Sequence, residues 1–212
     1  MPVAVLLGLY LGLFSGRGTA VARVPTRGEL RLVVILANFS DRTLNHDRDY
    51  FLGTPTALVD RLVLHYAAMS SNRLRIAPTL GRTVVTLPLP RARYVQRPDG
   101  IARDAIQAFV AAGDPVDQAA LAAAHAVVVF FAGPGRESHV EGGDPTDPWS
   151  NYTEFTPPAS GFTEACVIAE EEVAPFSSFG VLCHELGHLL GLPELYAPGG
   201  RPNEGIGVWG LM

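Results

Sequence analysis

Two apolar runs constrain this 212-residue chain most: Leu32 to Phe39 (LVVILANF) and Ala126 to Phe131 (AVVVFF). Runs of this length and character are expected as buried strands. Helical patterns lie between and beside them. Thr54-Pro55 supplies a cap and a first helical residue, and Leu58, Leu62, Tyr66 and Met69 follow at helical spacing. Arg73 to Ile76 and Thr83 to Leu87 are short strand candidates with Gly81 between them. Asp99 is placed to cap a helix through Ala112, with Ile101, Ala105, Ile106 and Phe109 on one side. Gly161 to Ala169 is a further strand candidate. Strands interleaved with helices predict a mixed α/β layer, of the α/β or α+β class.

The hydrophobic share is 48% and the charged share 17%, which fits one globular domain and excludes a disordered chain. Net charge is −5, all 16 basic residues are arginine, and no basic stripe occurs, so nucleic acid is not an expected partner. Val3 to Phe14 is an apolar run too short to span a bilayer comfortably, and Ala20-Val21-Ala22 follows as a small-x-small cleavage site. Residues 1–22 are therefore expected to be a signal peptide and 23–212 the working domain. No later segment has the length and apolarity of a membrane span, so no stable membrane insertion is expected. The chain is expected to be a secreted, extracellular monomer.

Residues 133–160 are rich in Gly, Pro, Asp and Ser and lack periodicity, as a long loop would. Within it, Glu137, Glu141, Asp144 and Asp147 offer oxygen ligands for Ca2+, but in no specific motif; a solvated loop is the simpler expectation. Cys166 and Cys183 are the two cysteines, and two are not a disulfide framework.

The chemistry concentrates in FSSFGVLCHELGHLL, Phe176 to Leu190. Ser177 or Ser178 can cap this helix, and Gly191 can end it. At a hundred degrees per residue, Phe179, Leu182, Leu186, Leu189 and Leu190 share one face while His184 and His188 fall nearly opposite. The leucine face can dock on the sheet while both imidazoles point into a cleft. One turn of separation lets them bind one ion. Glu185 is turned about eighty degrees from their midpoint, so it can lie beside a metal without binding it. Zinc needs a third ligand. Gly191 breaks the helix, Pro193 stiffens the turn, and Glu194 can return as a carboxylate ligand. His46, His65, His125 and His139 carry no such pattern and are expected at the surface or in packing.

With these residues in view, the sequence resembles the immune inhibitor A-like zinc metallopeptidases, a metzincin-like group of secreted proteases. HELGHLLGLPELY is similar to the family's active-site signature. LVVILANFSD, LVDRLVLHYAAMSSNRLRIAPTLG, FFAGPGRE, PWSNY and the terminal GVWGLM resemble further family segments across residues 31–212. The resemblance implies a zincin-like fold: a mixed twisted sheet, two backing helices and an active-site helix, with the C-terminal lobe short or missing beyond the Met-turn. It implies Zn2+ bound by His184, His188 and Glu194, where the family more often has Asp, and Glu185 as general base. Met212 would be the Met-turn residue, a packing role. The implied function is a zinc-dependent endopeptidase acting on protein or peptide substrates. Two alternatives stand beside it. One is an inactive truncated zincin that binds zinc or peptide without turnover. The other is a deformylase-like hydrolase with Cys166 as third ligand.

Overall fold

The computed structural model describes residues 24–138, 146–172, 177–195 and 212. The 1–22 segment thus lies outside the described residues. Along the chain run β1 (Gly28–Asn38), α1 (Arg48–Phe51), α2 (Leu58–Met69), β2 (Leu74–Thr86), α3 (Gly100–Ala111), α4 (Pro115–Ala123), β3 (Ala126–Pro134), β4 (Asn151–Ala159), β5 (Phe162–Glu171) and α5 (Ser178–Leu189). The five strands form one sheet in the order β2-β1-β3-β5-β4. β1 is parallel to β2 and β3, and β3 is parallel to β5; only the β4–β5 pair is antiparallel. The fold is mixed α/β, as expected.

The apolar runs are apolar because both of their faces are covered. Val33, Ile35, Val127 and Val129 pack with Ile101, Ala105, Ile106 and Phe109 of α3 and Leu121 of α4. Leu32, Val34, Val128 and Phe130 pack on the other face with Leu58, Leu62 and Tyr66 of α2 and Leu182, Cys183 and Leu186 of α5. α5 therefore shares its face of the sheet with α2. Two contacts fasten the pair: the Tyr66 hydroxyl donates to the Cys183 carbonyl at 2.7 Å, and the Arg61 guanidinium lies 3.9 Å over the Phe179 ring.

Several local expectations change. Thr54-Pro55 does not start α2, which begins at Leu58 with Ala57 in the cap position and no side-chain cap. The Thr54 hydroxyl instead donates to the Asp49 carbonyl, and Asp60 accepts from the Gly53 N–H, so this stretch is a turn closing α1 onto α2. Asp99 stands at the start of α3 but makes no cap hydrogen bond; its carboxylate lies 3.6 Å from Arg103. The two short strands around Gly81 are one strand, β2, whose register against β1 shifts between Val34 and Leu36. A Cβ at Gly81 would lie 2.5 Å from the Phe109 ring, so the irregular stretch packs directly on α3. Its amides are met by Asp117 of α4, which is buried and accepts from Arg82 N at 2.7 Å and Thr83 N at 2.9 Å. α4 was missed, although Asp114-Pro115 signals it: Asp114 caps Val116 and Asp117, with Pro115 in the first turn.

Asp117→Ala leaves two amides of the shifted β2 segment without acceptors. We expect it to destabilise the fold by about 2–3 kcal/mol in urea titration, with Asp117→Asn losing less.

Candidate metal centre

α5 is positioned from both ends. At its start the Ser177 hydroxyl accepts from Gly180 N at 3.1 Å, and the Ser178 hydroxyl donates to the Glu170 carbonyl at 3.1 Å. At its end Gly191 takes a left-handed φ of 89°; Gly191 N donates to His188 O and Leu192 N to Gly187 O. That pair of bonds is a Schellman stop. It does more than end the helix, because the Leu192 carbonyl it turns inward lies 3.0 Å from His188 Nδ1. With the proton on Nδ1, that bond leaves the Nε2 lone pair available to a metal.

His184 Nε2 and His188 Nε2 are 3.1 Å apart. Glu194 Oε2 lies 3.5 Å from the first and 3.4 Å from the second. Zinc holds nitrogen and oxygen ligands at about 2.0–2.1 Å in tetrahedral sites, which puts neighbouring donors about 3.3 Å apart. The three donors thus form a triangle of the size such an ion needs. The imidazole side chains are 18% and 20% exposed and that of Glu194 47%, so this carboxylate closes the site from the solvent side.

Glu185 is close by but engaged differently. Its carboxylate and both imidazoles fall in one group of potential ligands within 4.8 Å. It is also buried, and its Oε2 accepts the backbone N–H of Tyr152 on β4. Burial raises its pKa above the ordinary carboxyl range; the Tyr152 N–H and the two histidines pull the other way, and Glu137 adds to the rise. Glu194, outside the helix and without that tie, is the better third ligand.

Sequence reasoning missed β4. Residues 151–159 fall in the stretch expected as a loop, yet Thr153 and Phe155 are buried while Glu154 and Thr156 are exposed, a period of two in β-favouring residues. Pro157-Pro158 masked that signal. Met212 lies against α5, where a Cβ at Gly187 would be 2.6 Å from its sulfur; the turn leading to it falls outside the described residues. Glycine is needed there for the methionine to reach the helix backbone beneath the histidines.

The other expectations sort as follows. Glu141, Asp144 and His139 lie outside the described residues. Asp147 pairs with Arg91, and Glu137 meets Glu172, so these two acids do not converge on a shared site. Cys166 and Cys183 are both free and buried; Cys166 is fully enclosed in the sheet, burial holds its thiol well above its usual pKa, and it is absent from the ligand groups. His65 packs edge-on against Tyr66 and Phe179, and His125 bonds Arg31. His46 belongs to a second group with Glu170 and Glu171. There the fully buried Glu170 carboxylate accepts from the amides of Asn45, His46 and Gly133 and from the His46 ring, a clamp whose acceptor capacity is already used. Among the described residues no helix is long and apolar enough to cross a membrane.

No protein-family model matches the chain, and no curated protein matches it. We expect His184→Ala and His188→Ala each to abolish stoichiometric zinc binding in equilibrium dialysis, and Glu194→Ala to weaken it about 10–100-fold. Cys166→Ala should leave it intact.

Proposed function

We propose that this protein is a secreted zinc endopeptidase with a zincin-like fold, residues 1–22 serving as its signal peptide. The observation that carries this reading is the donor triangle of His184, His188 and Glu194 with the buried Glu185 carboxylate beside it. Zinc bound there supplies Lewis acidity, lowering the pKa of water to about 7 and stabilising charge on a carbonyl oxygen.

The protein's own groups perform the rest. Glu185 takes a proton from the attacking water and returns it to the departing amine, so no covalent acyl intermediate is needed. Its raised pKa suits both halves of that exchange, because a strongly acidic carboxyl would accept a proton poorly. The hydrogen bond from Tyr152 N holds the carboxylate beside the ligand triangle and off it. The His188 Nδ1 contact to Leu192 O fixes one imidazole, which limits the reorganisation the site needs.

β4 supports a peptide as the substrate. It is the edge of the sheet, next to β5, and Tyr152 spends its N–H on Glu185 and not on the ladder. By strand alternation the N–H and C=O of Glu154 then face the same outer side. An extended peptide laid along that edge gains backbone hydrogen bonds and passes the Glu185 carboxylate. β5, which contains most of the Gly161 to Ala169 stretch, is flanked by β3 and β4 and offers no edge for such pairing.

The test is cleavage of unfolded casein by the zinc-loaded protein. Glu185→Gln should keep about one zinc per chain and lose about 10²–10⁴-fold in kcat. Equal cleavage by variant and parent would remove Glu185 from the mechanism, and zinc binding without any cleavage would favour a binding module.

A further inference from the structure

β4 reaches Glu185 through a single backbone amide, so whatever fixes the start of β4 also fixes the base. That start is held by a pair of carboxyl groups. Glu137 follows β3 and Glu172 follows β5, and the two meet over Gly135: a Cβ there would lie 2.5 Å from Glu172 Oε1 and 2.6 Å from Glu137 Oε1. Two carboxyl groups crowded at one point repel when both are charged, and burial of Glu172 adds to that cost, which favours a proton held between them. The remaining oxygen capacity is spent on the same junction. Ser150 N donates to both Glu137 oxygens at 3.1 and 3.2 Å. The Ser150 hydroxyl donates to Glu172 Oε1 at 3.3 Å and accepts from Ala169 N at 2.9 Å, and the Ser138 hydroxyl donates to Glu172 Oε2. Ser150 is buried and stands two residues before Tyr152, so its amide and that of Tyr152 project to the same side of the strand.

We propose that Glu137 and Glu172, bridged by one shared proton, are positioning residues for Glu185. They hold Ser150 so that the Tyr152 N–H meets the base. The kinetic consequence rests on the peptidase reading; the structural one does not.

Electrostatics support the shared proton. Burial and the neighbouring Glu137 push the Glu172 carboxyl up to about 8, against the smaller opposing pull of Ser138 and Ser150. Among the described residues neither carboxyl has a cationic partner. The nearby cations are engaged elsewhere: Arg42 with Glu171, Arg91 with Asp147, and Arg136 over the Trp149 ring. The other acid that acts on the pair is Glu185 itself, through Glu137. Because the folded-state pKa is raised, the stabilisation is full below the ordinary carboxyl range of about 4.3. It declines as pH rises and is lost through about 8. Above that, two adjacent carboxylates repel and the start of β4 is released.

The experiment is amide hydrogen exchange at Ser150 and Tyr152, read by NMR as protection factors on the full chain without zinc, at about pH 6 and about pH 9.5. The parent should be protected at the lower pH and lose about tenfold or more at the higher. Glu172→Gln, whose amide replaces the shared proton with a permanent donor, should keep protection at both. Glu137→Ala should lose it at both. A Glu172→Gln variant that loses protection at high pH as the parent does would overturn the proposal, and so would parental protection in Glu137→Ala. With zinc and casein, kcat of the parent should fall alongside protection above about pH 8 while Glu172→Gln stays flat, with KM and zinc content unchanged. Absence of cleavage in every variant would count against the peptidase reading and leave the exchange result standing.

Discussion

The docking of α5 on the parallel sheet is the constraint on which everything else depends. Leu182, Cys183, Leu186 and Leu189 are buried against β-strand residues such as Val128, Phe130, Cys166 and Ile168. Burying side chains of this size is worth about 1.5–3 kcal/mol each. Once that face is committed, helical geometry leaves the other side to His184 and His188, and Glu185 is turned toward β4. The two imidazoles are therefore aimed by leucines. A rotation of the helix that improved any one ligand would expose the apolar face, so the site inherits the rigidity of the core.

The same economy appears at the helix C-terminus. A helix must satisfy its last carbonyls, and Gly191 allows the tight left-handed stop that does so. That stop turns the Leu192 carbonyl toward His188 Nδ1 and sends the chain back so that Glu194 arrives within 3.5 Å of both Nε2 atoms. One glycine thus serves helix termination, imidazole orientation and the approach of Glu194. Gly187 plays a matching part on the inner side, where only a hydrogen leaves room for the Met212 sulfur.

What was legible in the sequence follows from range. The α5 face, its Ser177 cap and its Gly191 stop are encoded within a few residues, so helical arithmetic recovers His184, His188 and Glu185 and places Glu194 by the offset of a turn. The central strands were legible because LVVILANF and AVVVFF allow no polar face. β4 was not, because its alternation is short, flanked by Gly and Pro residues, and meaningful only beside β5. The merging of two strands into β2 was hidden for a similar reason: the amides of the shifted segment are satisfied by Asp117, 35 residues away from Arg82. Glu137 stood among the loop acids weighed for Ca2+ and Glu172 carried no signal of its own; only tertiary structure puts them together.

These long-range pieces converge on the edge strand. Glu185 is adjacent to its histidines through the helix, but its other contact crosses from α5 to Tyr152, and Tyr152 is held in turn through Ser150 by residues that follow β3 and β5. His184 and His188 are thus held by local helical geometry and hydrophobic docking, whereas the Glu185 carboxylate is held by a network of buried hydrogen bonds. The two kinds of support respond to different conditions. Apolar packing is indifferent to pH, while a carboxyl pair that needs a proton is not. A cluster built this way separates what places the two imidazoles from what orients the carboxylate beside them, and on the proposed reading the strand that carries that second dependence is the edge a peptide would approach.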